Sequence, residues 1–473
     1  MTASHPVYSA THRHDVRELD SALRDAAPVP FWIDDLPTGE AAPRLREDAT
    51  ADLLVIGGGF AGLWTALQAK EPNPGRDVLL IEARTLGWAA SGRNGGFCEA
   101  SLTHGGANAR MRFEDELAAI REVERDNFTG LLGTLDRYRM QVEFEQTGVL
   151  QTAVEEHHVA ELRAAATPET PLLTGEALAR YTRAPVHRAG LLKRDGYALL
   201  HPARLVQELR RVCVELGVRI HEATPALALR RDGDGVTVQV PGGAIRARRV
   251  ALASNGFRSL LPRLRLLTLP VYDYALMTEP LTAAQLEEIG WTGRHGITDS
   301  GRQFHYARKS ADDRILWGGF DAVYHPGGRV RDEHDQRPET FRRLADHFLT
   351  TFPALAGVRF THSWGGMIDM STRLVASQGT ALGGRVAYSL GYTGLGVAAT
   401  RFGAATMLDL LEGSDTARTR LRLATGLPIP IPPEPFATPI VQTIRGAVAR
   451  ADERGRPGPL LTTLERFGIG FDS

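Results

Sequence analysis

The most constraining feature of this sequence is a cluster of four glycines between an apolar run and a helical segment. Residues 57–62 read GGGFAG and fit the pattern G-x-G-x-x-G. The preceding run, 51–56, is typical of a buried strand, residues 61–70 have helical periodicity, and a second apolar run, 77–82, ends in Glu82. This order predicts a βαβ unit that binds a dinucleotide.

Each position of the motif has a physical task. Gly57 makes the tight turn, Gly59 lets the backbone approach a pyrophosphate, and Gly62 lets helix and strand pack closely. The start of the helix favours phosphate charge. Glu82 is expected to accept hydrogen bonds from ribose hydroxyls and to disfavour a 2′-phosphate. The predicted contacts of this unit are Gly57, Gly59, Phe60, Ala61, Gly62, Glu82, Ala83 and Arg84.

A second glycine-rich stretch, SGRNGGF at 91–97, follows the predicted acidic strand end. Three glycines around an arginine and an asparagine indicate that a rigid group passes close to the main chain. A long cofactor lying along the chain fits this better than NAD alone. The predicted contacts here are Ser91, Arg93, Asn94, Gly95 and Gly96.

The segments ADLLVIGGGFAGLWTAL, IEARTLGWAASGRNGGF and SLGYTGLGVAATRFGA resemble the FAD-dependent oxidoreductases of the D-amino-acid oxidase and glycine/sarcosine oxidase superfamily. Within it, the chain is most similar to a gamma-glutamylputrescine oxidoreductase-like branch. The resemblance spans about 30–412, and the terminal RFGIGFDS is also typical of that branch. It implies an α/β fold with a Rossmann-like FAD-binding domain and a second domain built on an antiparallel β-sheet that binds substrate.

The resemblance also implies how FAD is held. The segment 91–97 is expected beside the isoalloxazine ring, with Arg93 and Asn94 offering hydrogen bonds to the ring edge or diphosphate. It lacks the histidine that carries a covalent flavin link in some relatives, so non-covalent FAD is expected. A loop before the helix at 397–412 is expected to face the pyrimidine edge of the flavin: Gly391, Tyr392, Thr393, Gly394, Leu395 and Gly396.

The predicted domains interleave along the chain. Residues 1–44 are expected to form an N-terminal strap in which Trp32 packs on a domain surface, and 428–437 to be an extended linker to a C-terminal tail. The expected parts are an FAD-binding domain at 45–100, 193–258 and 365–412, a substrate domain at 101–192 and 259–364, and a C-terminal extension at 413–473.

The expected reaction is oxidation of a primary or secondary amine, such as a polyamine derivative. A hydride leaves the α-carbon for flavin N5, and the resulting imine hydrolyses to an aldehyde and an amine or ammonia. No triad or metal cluster is needed. An aromatic wall suits an amine, and Asp369 is interpreted as a partner for an ammonium group. The candidate catalytic residues are Tyr272, Tyr274, His305, Tyr306, Trp364 and Asp369.

Three alternatives remain open at this point. Met367 and Ile368 stand where glycine-oxidase-like proteins place a carboxylate-binding arginine, which favours an amine over an amino acid. An amino-acid oxidase or dehydrogenase still fits if Arg308 or Arg373 reaches the substrate. The second alternative is a subunit whose FAD is structural, and the third is an NAD-dependent dehydrogenase. Oxygen or another acceptor would reoxidise the flavin.

Composition narrows the partners. A net charge of −1 gives no argument for nucleic acid or an anionic membrane. The first 30 residues lack an apolar signal region and no run of about 18 apolar residues appears, so a cytoplasmic protein is expected. The cysteines Cys98 and Cys213 are expected to be reduced, with Cys98 an inert thiol. The histidines show no zinc spacing, and a monomer or small homo-oligomer is expected.

Overall fold

The structure is a computed structural model that describes residues 6–9, 11–37, 39–467 and 469. Its first sheet has a parallel centre, which agrees with the apolar runs in the sequence. The strand Ala49–Ile56 pairs in parallel with Val78–Ile81 on one side and with Gly243–Leu252 on the other. The remaining strands of this sheet are Arg219–His221, Ala228–Asp232, Gly235–Val240, Ser377–Ala381 and Val386–Leu390.

The second sheet is mainly antiparallel. Its spatial order is Phe360–Met370, Leu269–Thr278, Ile315–Gly319, His305–Lys309, Gly296–Asp299, Val149–Ala153 and Ala189–Lys193. Only one neighbouring pair of these strands, Gly296–Asp299 with Val149–Ala153, is parallel among the described residues. A small ribbon pairs Phe97–Glu99 with Tyr197–Leu199. The predicted α/β fold with a second, antiparallel sheet is confirmed.

Helices cover both sheets. Phe60–Lys70 and Gly396–Glu412 pack against each other beside the first sheet, and Pro338–Thr351 covers the second. None of the described helices is both long and apolar enough to cross a bilayer. The other α-helices are Val16–Leu23, Phe31–Asp34, Ala90–Arg93, Gly105–Phe113, Leu117–Arg137, Glu156–Ala165, Gly175–Ala179, Pro202–Glu215, Ala283–Glu288, Ala417–Arg420, Arg422–Thr425, Ala437–Arg454 and Pro459–Arg466. Short 3₁₀ turns lie at Glu114–Glu116, Pro262–Leu264, Asp332–Asp335 and Pro353–Leu355.

The predicted domain ranges can be placed on the two sheets. The strand Ala189–Lys193 lies in the second sheet and ends at the predicted boundary near residue 193. The predicted boundary between 364 and 365 falls inside Phe360–Met370, which is one continuous strand of the second sheet. This strand therefore runs from the second sheet to the loops of the first.

The N-terminal segment packs more deeply than a surface strap. Trp32 is fully buried in an apolar cluster with Ala275 and Trp364. The backbone N–H of Ala27 donates to Thr361 O at 2.8 Å, which adds a bridge at the edge of the second sheet.

The C-terminal tail is more ordered than expected. Ala437–Arg454 is an 18-residue helix, with apolar side chains three and four residues apart. The carboxylate of Asp452 accepts hydrogen bonds from the backbone N–H groups of Arg302 and Gln303 at 3.0 and 2.8 Å. Of the RFGIGFDS ending, Gly468 and residues 470–473 lie outside the described residues.

Removing this carboxylate should release the C-terminal helix. Asp452→Ala leaves two backbone N–H groups without their partner, which costs about 1–3 kcal/mol for each group that stays buried. We expect limited proteolysis, followed by mass spectrometry, to cut 428–467 several-fold faster than in the parent protein. The control is Asp415→Ala, which removes an exposed ion pair with Arg420 in the same extension. Equal cleavage rates in the two variants would contradict this role.

Candidate active site

One large cavity connects the two sheets. Its volume is about 1100 Å³, and it extends from the GGGFAG turn to the second sheet. Of the residues singled out in the sequence, those that line it are Gly57, Gly59, Phe60, Ala61, Glu82, Ala83, Ser91, Arg93, Asn94, Gly95, Tyr274, Tyr306, Trp364, Asp369, Tyr392, Thr393, Gly394, Leu395 and Gly396. Those that do not are Gly62, Arg84, Gly96, Tyr272, His305 and Gly391.

The glycine positions of the GGGFAG turn leave no room for a side chain. Gly57 has φ +114°, and a Cβ on it would lie 2.3 Å from Ala253 O. A Cβ on Gly62 would lie 1.8 Å from Gly57 O, so the helix sits directly on the turn. Gly59 begins the helix without a capping side chain of its own, and Ser91 Oγ instead accepts the N–H of Phe60 at 2.9 Å. This end of the cavity is bare main chain at a helix N-terminus.

Glu82 is held in place by neighbouring N–H groups. Its carboxylate accepts from the backbone of Gly58 at 2.7 Å and of Arg84 at 2.9 Å, and from Trp88 Nε1 at 3.0 Å. The guanidinium of Arg84 stacks 4.0 Å over the Trp88 ring and pairs with Asp332. Glu82 thus presents an oriented carboxylate to the cavity, while the Arg84 side chain lies outside.

The side chains of the SGRNGGF turn bind protein groups. Asn94 donates to the carbonyls of Ala90 and Ser91 and accepts the N–H of Gly96 at 2.8 Å. Arg93 forms an ion pair with Asp335 and donates to the carbonyl oxygens of Trp88 and Gly365. These hydrogen bonds fix the turn, and its main chain is left to face the cavity.

The loop at 391–396 is anchored by one carboxylate. Asp369 accepts the backbone N–H groups of Gly391 at 2.5 Å and Tyr392 at 3.1 Å. Thr393 has φ +51°, and its hydroxyl accepts from the N–H of Ser371. Asp369 is 2% exposed, and burial raises its pKa to about 7, while the backbone N–H groups act in the opposite direction. Its observed contacts are with the loop.

The second sheet presents a tyrosine and a carboxylate to the cavity. The hydroxyl of Tyr306 donates to Asp273 Oδ2 at 2.6 Å, and both residues line the cavity. Trp364 also lines it, and its indole N–H donates to Arg93 O at 2.9 Å. Asp273 was missed in the sequence, although a lone carboxylate in an apolar strand is the signal that marks it.

Two of the candidate catalytic residues face elsewhere. Tyr272 is 1% exposed and belongs to the core beneath the helix Pro338–Thr351. His305 is also 1% exposed and hydrogen-bonds to Asp299 at 2.7 Å and His347 at 2.9 Å, in a buried network. Tyr274 borders the cavity, but its hydroxyl donates away from it, to His334 O.

The cavity end near the C-terminal helix is mostly apolar. The helix Ala437–Arg454 contributes Ile440, Val441, Ile444 and Val448, and the linker before it adds four residues at 429–432. Polar groups at this end include Arg302 and Arg445. Cys98 also lines the cavity; burial raises the pKa of its thiol to about 12, and both cysteines are free.

Comparison with known proteins identifies the family. The family model described as DAO, FAD dependent oxidoreductase, matches residues 52–410. The chain belongs to this family. It is 25% identical over 402 residues to a probable oxidoreductase OrdL of Haemophilus influenzae, covering 82% of this chain and 88% of that protein. It is 27% identical over 391 residues to the gamma-glutamylputrescine oxidoreductase of Escherichia coli, covering 78% and 85%.

Solved structures share the fold. Glycine oxidase from Geobacillus kaustophilus aligns with a TM-score of 0.64 at 17% identity, covering 78% of this chain and 96% of that one. L-proline dehydrogenase from P. horikoshii aligns with a TM-score of 0.63 at 18% identity, with the same coverage. The solved structures agree in fold, and the family match confirms the predicted family, the FAD-dependent oxidoreductase class and the FAD cofactor.

The cavity of this FAD-dependent oxidoreductase fits its cofactor. The glycine turn and the start of Phe60–Lys70 would hold the pyrophosphate, and Glu82 would hold the ribose. The helix Gly396–Glu412 likewise begins without a side-chain cap at Leu395, and its first residues also line the cavity. A helix N-terminus stabilises negative charge, which a reduced flavin carries at its pyrimidine edge. When bound, FAD supplies the hydride acceptor.

Close packing at Gly62 should be needed for FAD binding. Because an added Cβ would meet Gly57 O at 1.8 Å, Gly62→Ala must displace the helix from the turn. We expect at least tenfold weaker FAD binding, measured by the flavin absorbance retained after gel filtration. The control is Gly133→Ala, where the structure has no atom within 4 Å of the new Cβ. Stoichiometric flavin in the Gly62 variant would contradict this account.

The anchor at Asp369 gives a second expectation. Asp369→Asn replaces one acceptor oxygen with an amide NH₂ that faces a backbone N–H, so the loop at 391–396 loses a hydrogen bond worth about 1–3 kcal/mol. Flavin should then dissociate about 5- to 100-fold more readily, as measured by fluorescence of released FAD. Asp232→Asn, at an exposed hairpin of the first sheet, is the control and should bind FAD like the parent protein. Unchanged flavin affinity in Asp369→Asn would show that the loop holds without this anchor.

Proposed function

We propose that this chain oxidises a primary or secondary amine. The carbon next to nitrogen gives up a hydride, FAD being the acceptor, and water converts the resulting imine to an aldehyde and an amine or ammonia. Oxygen or another acceptor restores the oxidised cofactor. The catalytic groups of the chain bind and orient the amine, keep it neutral at nitrogen and exclude water.

The observation that carries this proposal is the substrate side of the cavity. There a carboxylate, Asp273, and the aromatic rings of Tyr306 and Trp364 face the cavity close to the SGRNGGF turn. An acidic and aromatic wall suits a cation with a carbon chain. The E. coli relative is named for a putrescine derivative, which agrees with an amine as substrate. Other relatives are named sarcosine oxidase β subunits, and sarcosine is a secondary amine that also carries a carboxylate.

The two arginines that could bind the carboxylate of an amino acid, Arg308 and Arg373, do not line the cavity. Arg308 donates to Leu200 O at 2.6 Å and lies over Trp32. Arg373 donates to Ser377 Oγ at 3.2 Å and to backbone oxygens at 422–426. Neither lines the cavity, and Ile368 does. A carboxylate next to the reacting carbon therefore has no arginine partner from these two positions.

An amine with an anionic group at its far end is the second candidate. Arg302 and Arg445 line the end of the cavity near the C-terminal helix, and Arg445 forms an ion pair with Asp321 at 3.3 Å. The positive charges of these residues suit an elongated substrate that carries an anionic group away from the reacting nitrogen.

Anaerobic titration tests the reaction directly. The purified holoenzyme is mixed without oxygen with butylamine, N-methylbutylamine, putrescine, 6-aminohexanoate, glycine or proline. We expect at least one amine to bleach the oxidised flavin absorbance, while glycine and proline act at least tenfold more slowly. Aldehyde detection and oxygen consumption then identify the product and the acceptor.

Other outcomes identify the alternatives. Bleaching by glycine or proline at full rate would support an amino-acid oxidase or dehydrogenase. Preferential bleaching by 6-aminohexanoate over butylamine would support the anionic end group. A flavin that no compound reduces, but that dithionite does, would indicate a structural FAD and would contradict the proposed oxidation.

A further inference from the structure

Two accessible polar side chains stand out on buried strands of the second sheet. In Leu269–Thr278, Asp273 is partly accessible, while Tyr272 and Tyr274 on either side are buried. In His305–Lys309, Tyr306 is the accessible residue. Because alternate residues of a strand point to opposite faces, Asp273 and Tyr306 share the face that lines the cavity.

A glycine lets these two residues meet. The strands that carry them are separated by Ile315–Gly319, in which Gly318 pairs with both Tyr306 and Ala275. A Cβ on Gly318 would lie 2.6 Å from Tyr306 Cζ and 2.6 Å from its hydroxyl oxygen. The tyrosine therefore lies across the middle strand, over the position that a side chain would fill, and its hydroxyl reaches Asp273.

The same carboxylate has a second glycine on its other side. Gly366 is the cross-strand partner of Asp273, and a Cβ placed there would lie 3.6 Å from Arg93 Cβ. The ring of Tyr306 also lies against the flavin-binding turn, since a Cβ on Gly95 would be 2.9 Å from Tyr306 Cε2. Asp273 thus lies in a trough bordered by Gly318 and Gly366. The ring of Tyr306 lies between Asp273 and the SGRNGGF turn.

We propose that Asp273 binds the amino group of the substrate as an ammonium ion and accepts its proton, while Tyr306 orients the carboxylate. This inference rests on the proposed amine oxidation. In the step, one N–H bond of the ammonium breaks and an O–H bond forms on Asp273, and no oxidant or reductant takes part. The neutral amine regains the nitrogen lone pair that loss of a hydride from the adjacent carbon requires.

The surroundings of Asp273 suit a proton acceptor. Burial raises its pKa to about 6, and the near Asp321 carboxylate acts in the same direction, whereas the Tyr306 hydroxyl and the N–H groups of Tyr274 and Gly319 lower the pKa. On the remaining neighbouring strand, the paired position is Gly366, which brings no charge. An acceptor with a pKa close to neutrality is well matched to proton transfer at that pH.

A purely structural role makes a different prediction. If Asp273 only holds Tyr306, then an asparagine, which has nearly the same shape and can accept the tyrosine hydrogen bond, should leave the pH profile of flavin bleaching unchanged. If Asp273 binds the ammonium, the same change removes the charge and the proton acceptor. Asp273→Asn therefore distinguishes the two roles.

The experiment uses three variants as holoenzymes. Asp273→Asn removes the charge, and Gly366→Ala narrows the trough with a methyl group that makes only an ordinary contact with Arg93. The matched control is Asp312→Asn, at the turn before Ile315, where Asp312 accepts from Ser310 and Arg314 outside the cavity lining. Each holoenzyme is titrated anaerobically with butylamine and N-methylbutylamine between pH 6 and pH 10.

We expect Asp273→Asn to retain its flavin and to need about 10- to 100-fold more butylamine for half-maximal bleaching at pH 7. Its rate should keep rising toward the pKa of the free amine, about 10, whereas the parent protein levels off at lower pH. Gly366→Ala should slow N-methylbutylamine more than butylamine. Asp312→Asn should match the parent protein in both respects.

Failure of this inference is distinct from failure of the proposed function. If the parent protein is bleached by the amines and Asp273→Asn has the same half-saturating concentration and pH profile, Asp273 does not bind the amine. Equal effects of Gly366→Ala on the two amines would place the reacting nitrogen elsewhere in the cavity. If no amine bleaches the parent protein, the amine oxidation itself is contradicted.

Discussion

The strand Phe360–Met370 holds the active site together. Its Trp364 indole donates to Arg93 O at 2.9 Å, and the carbonyl of Gly365 accepts from Arg93 at 3.0 Å. Five residues on from Trp364, Asp369 accepts the N–H groups of the loop that starts at Gly391. This one strand of the second sheet is thus hydrogen-bonded to both the SGRNGGF turn and the loop at 391–396. The second sheet and these two turns of the cavity are therefore fixed relative to each other.

The polar side chains in these turns hydrogen-bond to protein groups, and the main chain faces the cavity. Arg93 and Asn94 were expected to reach the flavin or its diphosphate, but in the structure they bind Asp335 and nearby backbone groups. A planar ring can lie close to bare backbone only if the backbone does not move. The polar side chains of SGRNGGF supply that rigidity, and its glycines supply the space. The loop at 391–396 is held in the same way, because the carboxylate of Asp369 accepts its backbone N–H groups.

Much of the glycine-rich end of the cavity could be predicted from the sequence, because its structure depends on residues that are neighbours in the chain. Strand, glycine turn, helix and acidic residue are contiguous, so their spacing alone places Gly57, Gly62 and Glu82 around one turn. The substrate end depends on strands far apart in the chain. Aromatic residues were favoured there, yet the alternation of a strand placed Tyr272 in the core and Asp273 in the cavity. Without the neighbouring strands, neither face of Leu269–Thr278 could be assigned to the cavity.

The C-terminal extension explains why family membership does not settle the substrate. The family match ends at residue 410, and glycine oxidase aligns over 96% of its own length but only 78% of this chain. Yet Ile440 and Ile444, beyond that match, line the cavity. The glycine turn lies within the family match, whereas part of the cavity wall comes from a helix beyond it. Discrimination between substrates depends on the contacts that their non-reacting parts make. The relatives therefore indicate the type of reaction more closely than they indicate which substrate is oxidised.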